Sequence, residues 1–220
     1  MLDQLTLFER LGVFVMRDFL DRQLCQQILA ETRQAKKFRP GEIHLGQGKS
    51  AVDETIRKVE QTKLSPSIVE TVGQKLGAIK HQLEAKFKVK LDACQGPNFL
   101  FYRKGGCYLP HKDRDFGKDY QYVNQRRRVS TIIFVNGEGQ TGDCDSANIE
   151  TYEGGALMFY GLLKDEKAAR LGLSLNGQRG LLIAFDSAIV HEVKPVTAGE
   201  RLTIVNWFLG EEESEKGKGS

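Results

Sequence analysis

Long apolar runs are missing from this chain. The longest, around Gly180 to Phe185, has the length of a strand and falls far short of the roughly 20 residues that a membrane-spanning helix needs. Cysteine is sparse and scattered: Cys25, Cys94, Cys107 and Cys144 form no Cys-x-x-Cys pair, which excludes a zinc-ribbon pattern. The opening residues Met1-Leu-Asp-Gln-Leu5 lack a basic segment followed by an apolar stretch, so no secretion signal is read. Reduced thiols in a soluble, cytoplasmic protein are the expectation. Neither sign of charge dominates. A net charge of +3 gives no electrostatic case for nucleic acid or an anionic membrane as partner. Proline is also scarce, at 5, while the 23 glycines sit between apolar runs. That distribution argues against a disordered or fibrous chain and suits short strands joined by turns. At 220 residues the chain is long enough for one domain with a full core.

What is present falls into two halves. Leu11 to Met16 reads as a short strand, and Asp21 as the N-cap of a helix carrying Leu24, Ile28 and Leu29. Residues 38–63 mix glycines with charges and read as a surface loop or hairpin, or, over 41–60, as a lid above a substrate. Ser65-Pro66 then supplies a cap and a first-turn proline, and Ser67-x-x-Glu70 an overlapping capping box. Ile68, Val72, Leu76, Ile79, Leu83 and Phe87 recur at helical spacing, which predicts one long helix lying on a sheet. From residue 97 the pattern turns to strands over 98–102, 129–135, 156–160, 181–185, 189–193 and 202–208, separated by glycine-bearing turns. Helices followed by strands imply a single α+β, mainly β domain over 1–210, with 1–96 as support and lid and 97–210 as a sandwich or barrel core. The polar tail 211–220 reads as disordered.

Ligand chemistry gathers around Tyr108-Leu-Pro-His-Lys-Asp-Arg114. His111 and Asp113, two apart in a strand-rich run, would leave one face of a strand together. His191, in Val190-His-Glu-Val193, offers a second imidazole. Two His and one carboxylate with open positions suit Fe(II) in an oxygenase. His191 and Arg201 are expected to face each other across a hairpin turning near Val196, about 4.5–5.5 Å apart at Cβ. The guanidinium could then hold a carboxylate whose far end chelates the metal.

His111-Lys-Asp113, His191 and Arg201 resemble the His-x-Asp…His…Arg pattern of Fe(II)/2-oxoglutarate-dependent dioxygenases, in the prolyl 4-hydroxylase-like branch. Tyr102-Arg-Lys-Gly-Gly-Cys-Tyr108, Arg128 to Asn136, Gly154-Gly155, Gly180 to Phe185, His191 to Pro195, Gly199-Glu-Arg201 and Trp207-Phe208 match in order and spacing. The resemblance implies a double-stranded β-helix (jelly roll) with N-terminal helices on its larger sheet. It implies iron on His111, Asp113 and His191. It also implies 2-oxoglutarate on Arg201 and Tyr102, with Trp207 lining the pocket; Thr203, on the face of Arg201, could add a hydroxyl, and Tyr108, beside the first ligand, reads either as core packing or as pocket lining. O2 is the co-reactant, ascorbate a supporting reductant, and succinate and CO2 the coproducts. A prolyl residue in a peptide or protein is the implied substrate, with a free amino acid or small metabolite as the alternative and a non-catalytic sensor as the reading from another class.

The chain departs from the pattern at Phe134, where some prolyl hydroxylases have a cosubstrate-binding tyrosine, and in longer stretches over 140–151 and 162–179. A carboxylate at 113 disfavours halogenation. Arg126-Arg-Arg128 reads as solvated or strand-edge charge, with recruitment of an acidic substrate surface as the alternative. His44, His81 and Cys107 are assigned no chemistry.

Overall fold

A computed structural model describes residues 3–46, 49–114, 122–139, 151–163, 168 and 170–210. Expectations about the tail 211–220, and about nearly all of 140–151, fall outside these residues. In chain order the elements are α1 (Gln4–Arg10), β1 (Phe14–Met16), α2 (Arg22–Gln34), β2 (Arg39–Pro40), β3 (Ile43–Gly46), β4 (Lys49–Ala51), β5 (Arg57–Lys58) and β6 (Glu60–Thr62). Next come α3 (Pro66–Ala78), α4 (Lys80–Phe87), β7 (Leu91–Cys94), β8 (Asn98–Tyr102), β9 (Cys107–His111) and α5 (Tyr122–Gln125). The remaining strands are β10 (Arg127–Phe134), β11 (Gly137–Glu138), β12 (Thr151–Gly154), β13 (Leu157–Tyr160), β14 (Leu173–Leu175), β15 (Leu182–Asp186), β16 (Val190–Val193), β17 (Val196–Gly199) and β18 (Arg201–Gly210).

Two antiparallel sheets carry the site. The larger runs β1-β15-β10-β18-β8-β6-β2, with β7 also on β18, and the smaller runs β14-β13-β16-β9-β5. Alternation along each central strand sends residues to two different cores. On β8, Phe99 and Phe101 meet Ile28 of α2, Val72 and Leu76 of α3 and Leu83 of α4. Leu100 and Tyr102, one step out of phase, turn to the space between the sheets, with Phe159 and Val193 of the smaller one. The two-faced burial explains why β10 is buried at all of its positions. The helices thus cover the outer face of the larger sheet and leave its inner face for chemistry.

Asp21 caps α2 as expected, its carboxylate accepting from the Leu24 amide at 2.8 Å. The long helix does not run through. It breaks at Ile79 (φ −93°, ψ −1°), which closes α3 and opens α4. Its amide bonds back three residues to Leu76, a tighter turn than the α-helix. Ile68, Val72, Leu76, Ile79 and Leu83 are nonetheless all buried on one stripe. The Ser65 side chain makes no cap. Its hydroxyl is engaged by Glu31 at 2.9 Å.

Residues 38–63 supply strands at both ends and a separate hairpin between them. Strands β2 and β6 extend the larger sheet, β5 pairs β9 of the smaller one, and the β3–β4 hairpin pairs with itself. Among the described residues, no helix is long and apolar enough to cross a membrane.

Candidate metal and dicarboxylate site

The smaller sheet brings the histidines together. On β9 and β16, His111 and His191 are direct antiparallel partners, with ring centroids 4.2 Å apart. Each ring is oriented by the carbonyl two residues before it: Nδ1 of His111 lies 2.8 Å from the Leu109 oxygen and Nδ1 of His191 lies 3.0 Å from the Ile189 oxygen. A carbonyl only accepts, so each Nδ1 carries the proton and each Nε2 presents a lone pair. Such orienting bonds to the other ring nitrogen are typical of metal-ligating histidine.

Asp113 arrives by a different route from the one expected. Strand β9 ends at His111, and Asp113 stands in the bend beyond it. Its amide donates to the Ser187 carbonyl at 3.0 Å, which pins the bend to the turn after β15. The carboxylate then faces both imidazoles, at 3.8 Å from Nε2 of His111 and 3.5 Å from Nε2 of His191. The three ligand atoms all lie within 4.8 Å of one another.

Burial is strong and the charges respond to it. For Asp113, desolvation pushes the pKa up, but His191, His111 and Arg127 and the indole N–H of Trp207 outweigh it and hold the group at about 2. His111 is driven down to about 3, first by burial and then by the His191 charge, against the pull of Asp113. A neutral His111 beside an ionised Asp113 suits a divalent cation. The depressed pKa of His111 also sets a sign for stability. The unfolded chain binds this proton near pH 6.5 and the folded chain only near 3, so lowering the pH through that window favours unfolding. In chelator-treated protein, stability should be flat above pH 6.5 and fall below it. Denaturant titrations of His111→Gln should give a shallower decline between pH 6 and 5; an unchanged slope would refute this assignment.

Arg201 opens β18, opposite Tyr102 on β8, and is only 1% exposed. Its guanidinium lies over the Tyr102 ring at 5.0 Å and the Phe134 ring at 5.2 Å. Nη1 donates to the Thr203 hydroxyl at 3.3 Å, whereas Nε and Nη2 have no protein partner. The expected hairpin with His191 does not form. His191 belongs to the smaller sheet and Arg201 to the larger, because β17 (Val196–Gly199) pairs with β12 and intervenes between their strands. The arginine therefore approaches from the opposite sheet, behind Tyr102.

Tyr152 was not legible in the sequence. It is fully buried, its hydroxyl makes no well-formed hydrogen bond among the described residues, and Arg201 beside it offsets part of the burial that raises its pKa. Glu138 is held up by burial in the same way and steadied by Arg201. Gly155, at φ +64°, makes room for the arginine, since a Cβ there would stand 2.9 Å from its Cδ.

Tyr108 stacks on His111 with centroids 3.5 Å apart, and Trp207 also lines the cavity over the triad, which measures about 30 Å³. That is room for about one water. Arg126-Arg-Arg128 is not a solvated run: Arg127 and Arg128 are buried, and Arg126 pairs with Asp92 at 2.5 Å. His81 is exposed and pairs only with Glu84.

A family model described as the 2OG-Fe(II) oxygenase superfamily matches residues 97–209. The chain belongs to that superfamily. A PKHD-type hydroxylase of Teredinibacter turnerae is 27% identical to the oxygenase over 159 residues, 72% of this chain. The match spans 61% of that curated relative's length. A crystal structure of a Pseudomonas putida prolyl-4-hydroxylase superposes with a TM-score of 0.67 at 23% identity, covering 91% of the oxygenase and 94% of that chain. A prolyl hydroxylase from Trichoplax adhaerens, in complex with a hypoxia-inducible-factor oxygen degradation domain peptide fragment, gives 0.66 at 18%, covering 90% and 84%. At these identities the likeness is one of fold: mostly β, with antiparallel sheets and supporting helices.

Proposed function

We propose that this oxygenase hydroxylates an aliphatic C–H bond of a prolyl residue in a peptide or protein. The observation that carries the chemistry is the convergence of His111, Asp113 and His191 on one point, with a buried, partly unpaired Arg201 behind Tyr102. The substrate class rests on likeness to prolyl hydroxylase folds, one of them holding a peptide fragment. In this reading the two sheets are the larger and smaller faces of a double-stranded β-helix, in a single domain over 1–210 that works in the cytoplasm.

The residues fit the implied groups. Both Nε2 lone pairs and the Asp113 carboxylate would hold Fe(II). The free N–H groups of Arg201, with the hydroxyls of Thr203 and Tyr152, would hold the distal carboxylate of 2-oxoglutarate. Phe134 offers no hydroxyl there, and Tyr152 supplies one from another strand. Tyr102 would screen this end from water, while Tyr108 and Trp207 would border the reacting carbon. Fe(II) with 2-oxoglutarate and O2 supplies C–H hydroxylation with succinate and CO2 as coproducts, ascorbate keeping the metal reduced.

The small cavity favours a second reading, in which the substrate is a free amino acid or small metabolite. Incubating the protein with iron, ascorbate and 2-oxoglutarate against a peptide library and a cell extract separates them, by which products gain one oxygen atom. If neither mixture gains oxygen and no succinate forms, the hydroxylase reading fails.

Gly155→Ala tests the dicarboxylate end separately. The new methyl would press on Arg201 and on Val196, and the left-handed backbone adds strain of about 1–2 kcal/mol. The KM for 2-oxoglutarate should rise about tenfold, the effect of losing roughly 1.4 kcal/mol of binding. Iron affinity in the variant should stay unchanged, as measured by chelator competition.

A further inference from the structure

Arg57 lines the catalytic cavity and Arg127 stacks on Trp207, which lines it; among the described residues neither forms an ion pair. Strand β5 places Arg57 opposite Tyr108, with its guanidinium over that ring at 4.7 Å. Its Nη1 donates to the Glu42 carbonyl at 2.6 Å, and its Nε is buried without a partner. Arg127, 8% exposed, lies over the Trp207 ring at 3.7 Å. It donates to the Gln95 side-chain oxygen at 2.7 Å and to the Asp113 carbonyl at 3.3 Å, both neutral acceptors. Tyr108 and Trp207 line the same cavity, so both cations flank it.

Charge accounting makes the pair conspicuous. In the loaded site, Asp113 and the two carboxylates of 2-oxoglutarate would be balanced by Fe(II) and Arg201. The guanidinium charges of Arg57 and Arg127 are then left over, and among the described residues Asp113 is the only carboxylate lining this cavity. Holding unpaired charges out of water is costly unless a counter-ion completes them. A planar guanidinium stacked on an aromatic ring presents its N–H groups in the ring plane, and those not already donating can meet a carboxylate.

We propose that the substrate carries a carboxylate beside the reacting C–H bond, and that Arg57 and Arg127 bind it. This rests on the hydroxylase reading and narrows its substrate class. The carboxylate belongs either to an acidic side chain next to the target residue of a peptide or to a free amino acid.

The chain contains one tryptophan, Trp207, under the Arg127 guanidinium, so its fluorescence reports binding directly. The test uses the full chain with Mn(II) and 2-oxoglutarate in the absence of oxygen. One probe pair is the blocked peptide acetyl-Ala-Glu-Pro-Glu-Ala-amide and its glutamine counterpart; the other is L-proline and L-prolinamide. In one pair the acid should bind about tenfold or more tightly, the value of a charge-assisted hydrogen bond of about 1.5–3 kcal/mol. Which pair responds identifies the source of the carboxylate. Arg57→Gln and Arg127→Gln should each remove the preference, and Arg57→Lys should retain part of it, with thermal melts confirming folded protein. Equal binding within both pairs, no binding by either acid, or a preference that survives both glutamine substitutions would overturn the proposal. Succinate formation by the iron-loaded wild type is scored separately, so failure of the hydroxylase reading is distinguishable from failure of the carboxylate preference.

Discussion

Changing His111 to alanine should eliminate turnover of 2-oxoglutarate and weaken Fe(II) binding by at least on the order of a hundredfold. Loss of a group that merely orients a ligand already costs about 10–100-fold in affinity, so loss of a ligand costs more. The fold should survive, because the His111 side chain sits at the edge of the site, 16% exposed, whereas that of His191 is 4% exposed and packed edge-on against Phe185. The substitution also relieves the burial that depresses the His111 pKa. The metal-free variant should therefore be no less stable than wild type below pH 6. Circular dichroism establishes folding, chelator competition reads iron affinity and mass spectrometry reads succinate. A folded variant that still makes succinate at the wild-type rate would remove His111 from the metal site, and with it the assignment of the triad.

Reading the sequence found the ligands but not their geometry, and the reason is physical. Local spacing reports on residues that share one strand or helix. The stripe from Ile68 to Leu83 is a local property, and it survived the break at Ile79 because a single tightened turn hardly rotates the next helix. Asp113 was identified through its spacing from His111, yet it reaches the site through a backbone bond to Ser187, seventy-four residues later. The placement of Arg201 failed for a related reason. A separation of ten positions from His191 to Arg201 fits a hairpin numerically, but β17 takes up that length by pairing with β12. Tyr152 could not be found because it acts through another strand on a residue whose own partners were unknown. The one weak signal was Phe134, whose missing hydroxyl implied a donor elsewhere. The Arg126-Arg-Arg128 run looked solvated because clustered arginines usually are; Arg127 is instead turned inward over Trp207, because a bulge between Arg127 and Val129 takes it out of phase with Val129 and Ile133, which face the helices.

Arg201→Met should separate affinity from stability, and in opposite directions. Removing one partner of a buried, hydrogen-bonded charge pair costs about 2–5 kcal/mol, so the KM for 2-oxoglutarate should rise by about thirtyfold to several thousandfold. At saturating cosubstrate much of kcat should return, because the three metal ligands lie on the other sheet and its loop and do not lean on Arg201. Without cosubstrate the arginine is a liability: a buried cation with Nε and Nη2 unpaired, held mainly by aromatic faces and the Thr203 hydroxyl. An apolar side chain of similar volume avoids that cost, as replacements of buried ionic groups elsewhere often do. The opposing term is Glu138, whose carboxyl loses the charge that steadies it and should titrate higher still. The melting temperature of the metal-free variant should therefore match or exceed that of wild type at acidic pH, where Glu138 is protonated in both, and that advantage should shrink as the pH rises and the Glu138 charge is buried. A scaffold residue would behave otherwise. Loss of stability together with an unchanged KM would mean that Arg201 holds the two sheets together and binds no cosubstrate.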